Sequence, residues 1–195
     1  MKDKNLDSTG VEITGDGAEP LPFSEWCFVC GSDNSRGVRG RFCHSGLTVW
    51  LDVTLDEEFN GYPGVLHGGM TAGLLDETMG WVAALALDRM CKTAELNVRY
   101  IHSVPVGMPL RFVAEPVKIN KRICTVKSHV YLVADEGIDD GLAPANEPLA
   151  RATGKFMPMS KEETIDIDRQ LIYDPDRPSV FGCCTCSEPT TGSGG

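Results

Sequence analysis

Positive charge is scarce in this chain. Its 195 residues carry 18 Lys and Arg against 28 Asp and Glu, a formal net charge of −10. Binding to phosphate backbones needs a basic face, so this balance argues against a nucleic-acid partner. A small anionic ligand stays open, because local clusters of charge matter more than the sum. Long apolar runs are lacking too. The longest stretch, in the Gly80–Leu87 region, falls far short of the roughly 20 residues a membrane-spanning helix needs. The start, Met1-Lys2-Asp3-Lys4-Asn5, has none of the apolar h-region of a signal peptide. A cytoplasmic protein with no membrane partner is the expectation. Cysteine is not scarce, at eight residues, and in that compartment the thiols are expected to be reduced. Cys91 and Cys124 sit in apolar surroundings and read as small core residues.

What is present suits one domain with tails, since an apolar content of 42 % is enough to bury a core. Residues 1–22, rich in Asp, Gly, Glu and Pro, are expected to form a mobile tail. Residues 160–195 begin charged and end in Thr-Thr-Gly-Ser-Gly-Gly, so most of that cysteine-containing tail is expected to be disordered as well. The folded unit is then 23–159. Within it Leu47, Val49, Leu51, Val53 and Leu55 alternate with polar residues as in a half-buried strand. The turn Asn60-Gly61-Tyr62-Pro63-Gly64 follows, then a helix over 67–87. Four strands come next, near 93–101, 109–119, 123–134 and 149–157, with a hairpin tip at 120–122 and an acidic loop over 135–148. This order predicts an α+β fold in which one antiparallel sheet wraps one long helix.

Gly64-Val65-Leu66-His67-Gly68-Gly69 opens that helix. Glycines at a helix start expose N–H groups without intrahelical partners, and the dipole adds roughly half a positive charge. Such an end suits a phosphate, a carboxylate or the oxyanion formed at an acyl carbon. Projected at about 100° per residue, Gly69, Gly73, Asp76, Gly80 and Ala83 share one face. Leu74, Thr78, Trp81, Val82 and Leu85 share the other, which should pack on the sheet. A carboxylate on a small-residue face is costly unless it has a partner or a task. Gly68 and Asp76 lie roughly 12 Å apart along the helix, too far to act on one carbonyl. Two antiparallel helices related by a two-fold axis could supply one group each, which points to a homodimer with two equivalent sites.

His67-Gly68-Gly69 with Asp76 nine residues after the histidine resembles the hotdog-fold acyl-CoA thioesterases of the phenylacetate-pathway type. Thr93-Ala94-Glu95-Leu96-Asn97-Val98-Arg99-Tyr100 is similar to the strand that follows the helix there. Cys27-Phe28-Val29-Cys30-Gly31, with Asn34 and Gly37, resembles a lead-in found in one branch. The resemblance, over about 26–157, implies hydrolysis of an acyl-CoA to free acid and CoA without a cofactor. In that reading Asp76 is general base or nucleophile, and the Gly68 N–H of the partner subunit polarises the carbonyl. Thr93 stands where a Ser or Thr orients the water or the acid. Asn60 matches an Asn or Gln that contacts the thioester or nucleophile, one residue farther from the histidine here. The resemblance also implies dimers that often pair into tetramers.

Other residues carry two readings each. His67 either fixes the turn before the helix or acts as a base. Glu77 reads as a neighbour or ion-pair partner of Asp76. Gly69, Lys118, Lys121 and Arg122 are candidate substrate-binding residues, the last three as a basic cluster for CoA phosphates or a merely solvated hairpin tip. Phe59, Tyr62, Met70, Leu74 and Trp81 line an acyl pocket or the core. Cys27-x-x-Cys30 with Cys43-His44 has the flavour of a zinc site, but the second pair lacks the matching spacing, and no metal is expected. Two alternatives stand beside the thioesterase: a non-catalytic acyl-CoA-binding module and an enoyl-thioester hydratase or dehydratase.

Overall fold

The computed structural model describes residues 17–133 and 147–182. Strands β1 (Glu19–Pro20), β2 (Phe23–Ser24), β3 (Phe42–Ser45) and β4 (Thr48–Thr54) come first, followed by the short hairpin β5 (Asn60–Tyr62) and β6 (Val65–Leu66). Helix α1 (Gly68–Leu87) leads to β7 (Cys91–Tyr100), β8 (Pro109–Asn120), β9 (Ile123–Leu132) and β10 (Ala150–Pro158), then α2 (Lys161–Asp168) and β11 (Leu171–Ile172). Seven strands form one sheet in the order β1-β3-β4-β8-β9-β10-β7, and the long pairs are all antiparallel.

The register explains why the sheet holds the helix. Phe42 pairs with Leu51, Leu51 with Phe112, Phe112 with Val130 and Val130 with Ala150. All five are buried, in one core with Leu74, Leu75, Met79 and Val82 of α1. The row ends where Ala150 meets Tyr100 on β7, and Tyr100 is exposed. Pro116 lies in β8 at a register shift, beyond the last pair with β4 at Ala114, so its missing N–H breaks no ladder bond on that side. The α+β expectation of one antiparallel sheet around one long helix holds. The helix begins and ends within a residue of its expected limits.

The chain ends differ from expectation. Residues 17–22 are not a loose tail, because β1 pairs with β3, itself unanticipated, and Ala18 and Leu21 are buried. Residues 160–182 are folded as well. Ser160 and Glu163 form a reciprocal capping box for α2, β11 pairs with β2, and Phe181 is fully buried. Tails expected over 1–16 and 183–195, with Cys183, Cys184 and Cys186, lie outside the described residues. So does most of the acidic 135–148 loop. This C-terminal segment covers the last turns of α1, where Leu85 and Val180 share a cleft. Ala83, expected on the small-residue face, is buried in the core.

Two stability predictions follow from the packing. Phe181→Ala removes a buried aromatic from this covering segment and should cost about 3–5 kcal/mol, read as a lower denaturation midpoint. His129, on β9, is held below the ordinary histidine range, chiefly by burial and further by Lys127 and Arg151. The unfolded chain then takes up the proton more readily than the folded one. Its contribution is intact above the ordinary histidine pKa and declines as pH falls through it. The stability of wild type relative to His129→Gln, measured from pH 8 to 5, should fall on acidification.

Candidate active site

The β5–β6 hairpin aims the start of α1. Gly64 turns it with φ +76°, and the His67 N–H donates to the Phe59 carbonyl at 2.9 Å. His67 is the N-cap of α1. Its Nδ1 accepts from the Gly69 N–H at 2.9 Å, and its carbonyl accepts from the Met70 and Thr71 N–H groups. Among the described residues the Gly68 N–H has no partner, so it is the donor left over in the first turn. Tyr100 donates its hydroxyl to the Gly68 carbonyl at 2.6 Å and so braces the peptide that follows that N–H. His67, Gly68, Tyr62, Leu66, Tyr100 and Val104 line a cavity of about 570 Å³.

Asp76 lies two turns further along α1, facing β7. Thr93 donates its hydroxyl to both carboxylate oxygens, at 3.0 and 3.2 Å. Burial raises the Asp76 carboxyl above the ordinary Asp range, and the Thr93 bond opposes that rise. At Gly73, on the same face, an added Cβ would meet nothing within 4 Å. Around Gly73 this face is therefore open within one chain. The outer edge of β7 is likewise unpaired among the described strands, with residues 93–97 all exposed. Long exposed edges are templates for pairing with another chain.

The structure brings Thr93 to Asp76, and Tyr100 to Gly68, but keeps the two pairs apart within one chain. Asp76 and Thr93 do not line the cavity at His67 and Gly68. Asn60 sits in the hairpin beside the helix start, its Oδ1 buried without a hydrogen-bond partner among the described residues. Lys118, Lys121 and Arg122 are exposed at the β8–β9 hairpin. Lys121 flanks a groove with Leu87, Asp88 and Arg89, at the far end of α1 from His67. Leu74 and Trp81 are core residues, whereas Tyr62 is exposed and flanks the cavity.

Glu77 has neighbours other than an ion-pair partner. Its Oε1 lies 3.6 Å from Cys27 Sγ and 3.7 Å from Cys30 Sγ. Cys43 and His44 stay apart from this cluster: Cys43 packs with Ala18 and Trp50, and His44 Nδ1 faces the Gly46 carbonyl. A hydrogen bond from Cys30, with backbone donors from Cys30 and Val29, holds the Cys27 thiol below its ordinary range against its burial. Burial pushes the Glu77 carboxyl up to about 8. Tyr100, which braces Gly68, is a residue to which the sequence assigned no role. Tyr100 had a signal, since it closes the strand that begins with Thr93.

One antiparallel sheet wrapped on one long helix defines the hotdog class of fold. Within that class, residues 63–136 match the model of the thioesterase superfamily, so this segment carries the superfamily's pattern. The crystal structure of a thioesterase superfamily protein is 25 % identical over 68 % of this chain, with a TM-score of 0.58. The match covers 60 % of that protein's own length. Thioesterase superfamily member 2 of zebrafish is 16 % identical over 67 % of this chain and 90 % of its own, with a TM-score of 0.56. A putative thioesterase of Ralstonia eutropha, described as phenylacetic acid degradation-related, is 19 % identical over 62 % and 85 %, at 0.50. These two show the fold. No protein with a curated description matches the chain. No helix among the described residues is long and apolar enough to cross a membrane.

Proposed function

We propose that the protein hydrolyses an acyl-CoA thioester to the free acid and CoA, as a homodimer with two equivalent sites. The observation that carries this reading is Asp76: a partly buried carboxylate, held by Thr93, on the open face of α1 beside an unpaired strand edge. Pairing two copies of β7 across a two-fold axis sets the two α1 helices antiparallel. The Gly68 N–H of one copy then approaches Asp76 of the other. Asp76 takes a proton from water as the hydroxide adds to the thioester carbonyl, or attacks that carbon itself to form an anhydride that a water molecule then hydrolyses. The Gly68 N–H receives the developing oxyanion, the C–S bond breaks, and the CoA sulfur leaves. His67 holds the turn through Nδ1, which accepts the Gly69 N–H and so leaves the ring proton on Nε2. Lys118, Lys121 and Arg122 remain the proposed grip for CoA phosphates.

Thiol release from a panel of short, long and aryl acyl-CoAs tests the reading. Turnover supports it; binding without turnover overturns it in favour of a non-catalytic acyl-CoA-binding module. A change in enoyl absorbance without thiol release would indicate a hydratase instead. Thr93→Val should lower kcat by roughly 10- to 150-fold with KM little changed, because the hydroxyl orients Asp76 rather than the substrate. The loss of one hydrogen bond to a charged group, about 1.5–3 kcal/mol, sets that scale.

A further inference from the structure

We infer that Cys27, Cys30 and Glu77 form a binding site for one thiophilic divalent cation, zinc by the chemistry of its donors. The three ligand atoms lie within 4.8 Å of one another. Tetrahedral zinc, with Zn–S about 2.3 Å and Zn–O about 2.0–2.2 Å, sets sulfur and oxygen about 3.5–3.7 Å apart. The two sulfur-to-oxygen distances here are 3.6 and 3.7 Å. Two ligands come from a loop and one from α1, so a cation would clamp the segment before β3 to the helix that carries Asp76.

The loop is shaped around its first sulfur. The Val29 and Cys30 N–H groups both point at Cys27 Sγ, at 3.3 and 3.4 Å. Thiol sulfur is a weak acceptor, whereas a thiolate rewards two such donors. The Gly31 N–H closes the loop on the Cys27 carbonyl at 2.9 Å. A Cβ at Gly31 would lie 2.4 Å from that same oxygen, so the position admits only glycine. Arg41 fixes the other end by donating to the Cys30 carbonyl at 2.7 Å. The site is thus held in place before any cation arrives.

Donor type selects the metal. Two sulfurs disfavour magnesium and calcium, which take oxygen. An iron–sulfur cluster needs more cysteines than converge here. Zinc accepts sulfur with carboxylate oxygen and fills its fourth place with water.

The test measures metal content, independently of hydrolysis. Cys183, Cys184 and Cys186 are also thiols, so the full chain is compared with a form in which all three are serine. Both are purified with zinc in the growth medium, exchanged into metal-free buffer, and assayed for bound zinc by elemental analysis. The tail variant should retain one zinc per chain. Adding Cys30→Ser or the isosteric Glu77→Gln should lower zinc affinity at least tenfold in competition with a chromophoric chelator. Cobalt substitution should give a thiolate charge-transfer band that Cys27→Ser removes. No retained zinc in the tail variant overturns the site. Equal zinc affinity in folded Glu77→Gln, with circular dichroism unchanged, removes the carboxylate and overturns the three-ligand site. A Cys27–Cys30 disulfide in protein purified under reducing conditions also overturns it.

Discussion

Asp76→Asn should lower kcat/KM for acyl-CoA hydrolysis by at least about a hundredfold, the scale of losing a positioned acid–base group. The substitution is chosen to leave the packing alone. Asparagine has the shape of aspartate, and its carbonyl oxygen can still accept the Thr93 hydroxyl, which now bonds both carboxylate oxygens at 3.0 and 3.2 Å. What disappears is the group that can take a proton or attack carbon. Stability should hold or rise, because a half-buried charge whose pKa burial already raises is replaced by a neutral amide. Thiol release, with circular dichroism as the fold control, separates these effects. Retention of more than a tenth of wild-type turnover would remove Asp76 from the chemistry. A folded variant that loses turnover but keeps KM would place the carboxylate at the reacting carbon.

The sequence made the centre of this fold legible and its ends opaque, for physical reasons. Alternation in β4 and β9 shows because one face meets a core and the other does not. The helix shows by length and by its glycine-marked start, and its acid by contrast with apolar neighbours. The Thr93–Asp76 contact was accessible through resemblance alone, since nothing in a strand's period says which helix residue it meets. Residues 17–22 and 160–182 are hard to read because their buried residues, among them Ala18, Leu21 and Phe181, follow no helix or strand period. Only Thr164 of α2 is buried, so amphipathic periodicity is weak there. The Ser160–Glu163 capping box was the readable signal and was overlooked beneath the run of charge. The Cys27–Cys30–Glu77 cluster joins residues some 50 positions apart. Spacing suggested the nearby Cys43-His44 as completing it, whereas chain topology delivered Glu77.

Gly68→Pro should be as damaging as Asp76→Asn, and mixing the two inactive proteins should restore turnover. Proline removes the N–H and nothing else that the fold requires. It is well tolerated at the first helical position, and His67 before it already has φ −57° and ψ 131°, as a residue preceding proline prefers. The nearest atoms an added Cβ would meet are the Tyr100 hydroxyl and ring, at 3.5–3.7 Å, an ordinary contact. Loss of one oxyanion donor costs about 100- to 1,000-fold in kcat. In a mixed dimer, one site combines the intact Asp76 of the proline variant with the intact Gly68 of the asparagine variant. The other site carries both defects. Random exchange makes about half the dimers mixed, so roughly a quarter of wild-type activity should return. Purified mixed dimers, captured through two different tags, should reach about half. A single-chain site predicts no recovery at any ratio, because every chain in the mixture carries a defect of its own. Recovery would therefore establish both residues and the interface between them in one experiment, whatever acyl group the cavity beside Gly68 selects.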